Sequence, residues 1–150
     1  MSDTSVDLAY VSASEVARLI KKGELTSVEV TQLAIDRANA TQGTLNAFIT
    51  ICEDQAIEAA RSSDLAVSNG KELGPLQGVP FTVKDLINTQ GVRTTMGSLI
   101  FDENFPKSDA VAVSRLKEAG AILIGKTTTP EFGHKPFTSA PIFGDTTNAW

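Results

Sequence analysis

Val79-Pro80-Phe81-Thr82-Val83-Lys84-Asp85 and Ala121-Ile122-Leu123-Ile124-Gly125-Lys126 are the two stretches that decide the fold. Each is a short run rich in β-branched and aliphatic residues, and each ends on a lysine. Between them Ser108 can cap a helix over Asp109 to Ala119, with Ala112, Val113, Leu116 and Ala119 inward and Gly120 as its stop. Ala121–Ile124 is apolar without a break, as expected of a strand buried on both faces. Strand, helix and strand joined by a short final connection form a parallel crossover unit, expected to be right-handed. Ligand sites in such sheets gather beyond the carboxyl ends of the strands. Lys84 and Lys126 are delivered there.

Working toward the N-terminus, the chain becomes helical. Ser12-Ala-Ser-Glu15 reads as a capping box, in which Glu15 reaches back to the cap, followed by Val16, Leu19 and Ile20 as an apolar stripe and Gly23 as the stop. Thr26-Ser-Val-Glu29 repeats the device, with Val30, Leu33, Ala34 and Ala38 as the stripe. Ala47–Ile51 is a strand candidate, and Glu53 to about Val67 is an alanine-rich helix ending near Gly70. The segments around the two capping boxes do not match, so they are not a helical repeat.

Composition separates the halves. Residues 1–73 hold 11 Asp/Glu and 6 Lys/Arg, whereas residues 74–150 hold 7 of each, with all six prolines and eight of the eleven glycines. The first half is a solvated helical preface with one strand, and the second begins the sheet. The 150 residues carry a net charge of -5, which disfavours nucleic acid or anionic membrane as a general partner. One cysteine and one histidine exclude an internal disulfide and leave structural zinc without its usual ligands. With no signal peptide and no apolar run of membrane-spanning length, the expectation is a soluble, cytoplasmic protein.

Several local patterns do not carry chemistry. Gly120-Ala-Ile-Leu-Ile-Gly125-Lys126-Thr127 satisfies the phosphate-loop pattern, but a phosphate loop follows a strand and opens a helix. Here the variable positions are the strand, and Thr127-Thr-Thr-Pro130 follows it. His134 stands beside Lys135 in a Gly/Pro-rich loop without a partner at ligand spacing, and reads as solvated. Cys52 reads as a small buried hydrophobe. Asn39-Ala-Thr41 matches a glycosylation acceptor but lies on a helix of a chain not expected to be secreted. The G-x-S-x-G nucleophile elbow is absent.

Lys84 and Lys126 remain. A lysine whose stem is desolvated at a strand end can serve as a general base, because burial disfavours its charged form. The plain alternative is a lysine snorkelling from a sheet edge. Spacing does not choose between the two.

Gly74-Pro-Leu-Gln-Gly78-Val-Pro80-Phe-Thr-Val-Lys84-Asp85 resembles the N-terminal hallmark of the amidase signature family, G-P-L-x-G-V-P-x-x-V-K-D. Gly91-Val-Arg-Thr94-Thr95-Met96-Gly97-Ser98 is similar to its glycine-threonine-glycine-serine loop. Asp109 to Gly120 resembles its helix. Gly125-Lys-Thr-Thr-Thr-Pro130-Glu-Phe132-Gly133 resembles its G-K-T-N-x-x-E-F segment, and Thr146-Thr-Asn148-Ala-Trp150 the start of its R-N-P-W stretch. The likeness runs from about Ser12 to Trp150, with the motifs in order.

The resemblance implies an α/β/α sandwich around a mixed sheet, of which this chain supplies the N-terminal helices and first strands. Residues 1–150 would be the N-terminal part of a single amidase domain, with residues 1–73 the helical preface and 74–150 the start of the catalytic sheet. It also implies hydrolysis of a small-molecule amide with no cofactor and no metal, and a possible homodimer in the full-length protein. The family's catalytic set is a serine nucleophile, a second serine in cis-peptide geometry and a lysine. Only the lysine carries over, onto Lys84. The glycine-serine-rich signature should begin shortly after Trp150; Ser98 and Ser139 do not match its serines. An isolated 150-residue fragment is therefore expected to be inactive. Thr129-Pro130-Glu131-Phe132-Gly133-His134 departs from the M-D-E-F-A-M-G-S version typical of the family's tRNA-linked amidotransferases, which favours a stand-alone amidase. A non-catalytic α/β interaction module is the alternative from another class.

Overall fold

The computed structural model describes residues 8–150. Helix α1 (Ala13–Lys21) begins where the Glu15 N–H donates to Ser12 Oγ at 3.2 Å. Only half of the expected capping box forms. The Glu15 carboxylate turns along the helix to Arg18, whose Nε lies 2.7 Å away, because a guanidinium is a stronger donor than the cap's amide. Helix α2 (Ser27–Leu45) has the complete box: Glu29 N–H donates to Thr26 Oγ1, and the Thr26 N–H donates back to the Glu29 carboxylate at 2.9 Å. Its buried arc is rotated from the expected stripe toward Thr31 and Ile35. Ile35 is sealed, while Leu33 stands half exposed over an open apolar groove shared with Val11, Val16 and Phe48.

Strand β1 (Phe48–Ile51) leads through buried Cys52 into helix α3 (Glu53–Ser68). Strand β2 (Pro80–Lys84), helix α4 (Val111–Glu118) and strand β3 (Ile122–Thr127) complete the main sheet. The order is β1-β3-β2, with β2 parallel to β3 and β1 antiparallel to it. The sheet is mixed, as expected, and the crossover from β2 through α4 to β3 is present. A short ribbon, β4 (Ser139–Ala140) with β5 (Gly144–Asp145), has no counterpart in the expectations from sequence.

Two boundaries differ. Ser108 does not cap α4: Ala110 occupies the cap, and the helix starts at Val111. The Asp109 carboxylate is engaged elsewhere, accepting from the Gln90 N–H at 2.7 Å and from Lys117 Nζ at 2.8 Å. Of the residues expected to point inward, Val113 is buried and Ala112 is exposed. Strand β3 runs past Ile124 to Thr127, so Lys126 lies within it.

Helices cover the sheet. Ile122 and Ile124 of β3 pack with Ile35 of α2 and Ala56 and Ala60 of α3. A second cluster joins Val16, Ala17 and Ile20 of α1 to Val30 and Val79. A buried polar chain ties these layers together: Gln77 Nε2 donates to Ser63 Oγ at 2.7 Å, and Ser63 Oγ lies 2.7 Å from Ser27 Oγ. Among the described residues no helix is long and apolar enough to cross a membrane.

Candidate active site

The carboxyl ends of β2 and β3 lie side by side, with Lys84 in register with Thr127 and Val83 with Lys126. Residues in register on neighbouring strands share a face, and successive residues alternate. Val83 and Lys126 therefore share one face, and Lys84 and Thr127 share the other. Val83 and Lys126 are buried, the lysine completely, whereas Lys84 is exposed. The desolvated stem expected for Lys84 is thus absent among the described residues.

Directly after Lys84 the chain is locked. The Asp85 N–H donates to Thr127 O, and the Met96 N–H donates to Asp85 O at 3.0 Å. Asp85 is fully buried; its Oδ2 accepts from the Thr95 N–H at 3.0 Å and from the Thr95 hydroxyl. Its Oδ1 has no donor among the described residues. Residues 85–95 thus leave the strand and return to its end as a closed loop.

Lys126 fills that loop. Its Nζ donates to Ile87 O at 2.5 Å and to Thr89 Oγ1 and Thr94 Oγ1 at 2.9 Å each. Burial lowers its pKa to about 8, opposed by the negative charge of Asp85 and, more weakly, by Cys52 and Asp109. At neutral pH it is an ammonium, which matches three acceptors around three N–H bonds. The sign of the pH effect follows. Between about pH 8 and 10.5 the unfolded chain holds a proton that the folded one has released, so this group's contribution to stability rises with pH over that window. Urea unfolding of the full-length protein and its Lys126→Met variant, from neutral pH to about 10, is expected to show the wild type gaining stability relative to the variant as the pH rises. A relative stability that stays constant or falls with pH would refute the assignment.

Two left-handed turns meet beside Asp85. Met96 (φ 55) precedes Gly97 (φ 70), and Phe132 (φ 50) precedes Gly133 (φ 67). The Phe132 N–H donates to Met96 O at 2.8 Å, which joins the turns. A Cβ at position 97 would lie 2.8 Å from Thr129 O, so only glycine lets the loops approach this closely. Non-glycine residues at positive φ each cost about 1–3 kcal/mol and cluster at functional sites. Position by position, the loop resemblance noted in the sequence falls on these turns. What sequence could not show is that they touch.

Ser98 is completely buried and accepts from the Ile100 N–H, and Ser139 lies on the small ribbon. His134 is exposed, with Nδ1 against Glu131 O, and Cys52 is buried with its thiol pKa raised by that burial. Among the described residues no group of three or more His, Cys, Asp or Glu could hold a metal ion. Gly120 to Thr127 forms the end of a turn and strand β3, not a loop opening a helix.

A family model described as Amidase matches residues 29–150. This chain belongs to the amidase family. It is 42% identical over 144 residues to a subunit of the glutamyl-tRNA(Gln) amidotransferase of Salinispora tropica, covering 96% of this chain and 29% of that protein. The solved structure of peptide amidase from Stenotrophomonas maltophilia superposes with a TM-score of 0.86 at 31% identity, covering 95% of this chain and 30% of that one. Fatty acid amide hydrolase gives a TM-score of 0.86 at 30% identity, covering 92% and 24%. The chain spans between 24% and 30% of the length of these relatives.

Proposed function

We propose that residues 1–150 are the N-terminal part of a single amidase domain and supply the lysine of its catalytic centre, Lys84. The observation that carries this reading is the position of Lys84: it stands exposed at the carboxyl end of a parallel strand, beside two joined loops held in strained geometry. The substrate is a small-molecule carboxamide. Lys84, neutral, accepts a proton from a bridging serine, which in turn takes the proton of a serine nucleophile as that oxygen attacks the amide carbonyl. The C–N bond breaks as the proton returns to the leaving amine, and water then releases the carboxylate from the acyl-serine. Both serines belong to sequence beyond Trp150.

A second reading, a glutaminase working within a tRNA-linked amidotransferase, is favoured by the 42% identity to a protein of that name. The segment Thr129 to His134 favours the stand-alone enzyme. The full-length protein, assayed alone on a simple aryl amide, is expected to release the amine. Release only from glutamine, and only with partner proteins present, would select the second reading; no release under either condition would refute both. The homodimer expected from the sequence is part of the proposal, and sedimentation of the full-length protein measures it.

A further inference from the structure

Among the described residues Lys126 is the largest fully buried side chain, yet the proposed hydrolysis does not use it. We propose that Lys126 is a positioning residue: by gathering Ile87, Thr89 and Thr94 around one ammonium it fixes the loop that follows Lys84, and with it the direction in which the Lys84 amine is presented. The inference rests on the reading of Lys84 as the proton carrier.

The hydrogen-bond accounting leaves little freedom. Thr89 Oγ1 donates its hydrogen to Ile87 O at 3.2 Å, and Thr94 Oγ1 donates to Val92 O at 3.1 Å. Both hydroxyls thus face Lys126 as acceptors, and Ile87 O is the third. Three directional bonds from one atom set the positions of three points on the loop. At the sheet the loop is otherwise tied, among the described residues, only at its start, where the Asp85 N–H donates to Thr127 O and the Ile87 N–H to Lys84 O, and Thr95 closes the circuit on Asp85. Its outer side is held by residues 106–110 through Asn88, Gln90 and Gly91. Thr94 is also bound on its outer side, where Asn104 exchanges backbone and side-chain bonds with it at 2.9 and 2.7 Å.

Energy alone does not explain a lysine here. An ammonium taken out of water loses solvation that neutral acceptors only partly return, and an apolar residue of similar volume fills such a space at lower cost. The three bonds to Lys126 are made to neutral groups. What an ammonium supplies and a hydrophobe does not is fixed direction, and a catalytic group needs its support held to about 0.5 Å.

The test uses the full-length enzyme and a simple aryl amide. Thr89→Val and Thr94→Val each remove one acceptor at nearly constant shape, Thr89→Ser and Thr94→Ser keep it, and Lys126→Met removes the ammonium. Thermal unfolding sets a temperature at which every variant is folded. There kcat is expected to fall about tenfold in each valine variant and about 10²-fold in Lys126→Met, with KM within about twofold. The serine variants should retain wild-type kcat within about twofold. If Lys126→Met does not fold, the threonine pairs decide. Wild-type kcat in the valine variants, with only the unfolding temperature lowered, would overturn the proposal, as would equal losses in the serine and valine variants. Lys84→Ala is measured alongside: if it retains activity, the reading of Lys84 fails and this inference with it. If it is inactive while the loop variants are unaffected, this inference alone fails.

Discussion

Lys84→Ala in the full-length enzyme is expected to lower kcat by about 10²–10⁴-fold, the range that a positioned general base supplies. The unfolding temperature should not move, because the Lys84 side chain is exposed in residues 8–150. Lys84→Arg separates two roles. A guanidinium keeps the charge but is never neutral near pH 7, so a lysine that acts as a base is not replaced by it. Activity in Lys84→Arg would make Lys84 an electrostatic anchor. Equal inactivity in both variants, at unchanged KM, is the signature of proton transfer. A residual rate near wild type in Lys84→Ala would remove Lys84 from the mechanism.

Gly125→Ala is expected to destabilise the protein by about 1–3 kcal/mol, the usual cost of forcing a group into a packed interior. The added Cβ would lie 2.4 Å from Thr50 O and 3.1 Å from Phe48 Cδ1. The first contact is backbone, so no rotamer change relieves it, and β1 must move away from β3. Gly43→Ala is the matched comparison. Gly43 lies in α2 with nothing within 4 Å of its missing Cβ, so alanine there should be neutral or stabilise by up to about 1 kcal/mol. Urea unfolding of the two variants should therefore give changes of opposite sign or clearly different size. Similar values for both would mean that β1 yields without cost. The same geometry explains the phosphate-loop pattern: its second glycine is required by the approach of a neighbouring strand.

Much of the local structure was legible in residues taken a few at a time. Thr26 and Glu29 form the expected box, because both partners lie within one turn of each other. The β2–α4–β3 crossover followed from two apolar runs and a helical period. The motifs around Lys84, Gly97 and Glu131 come together at the candidate site, and the family match spans all three. Where reading failed, a partner outside the motif had intervened. Arg18 drew Glu15 from its cap, Gln90 and Lys117 took Asp109 before α4, and the packing of α2 on α3 turned Ile35 inward in place of Leu33.

The sequence by itself determined that two lysines arrive at neighbouring strand ends, because strand length and the position of each lysine are local properties. Only the tertiary structure decided which of them is buried. The parallel register pairs Val83 with Lys126 and Lys84 with Thr127, and the loop of residues 85–95 closes around the Lys126 ammonium. Side chains alternate across a strand, so a shift of one residue in that register would pair Lys84 with Lys126 and put both lysines on one face. The register places Lys126 inside a loop of threonines and leaves Lys84 on the open face.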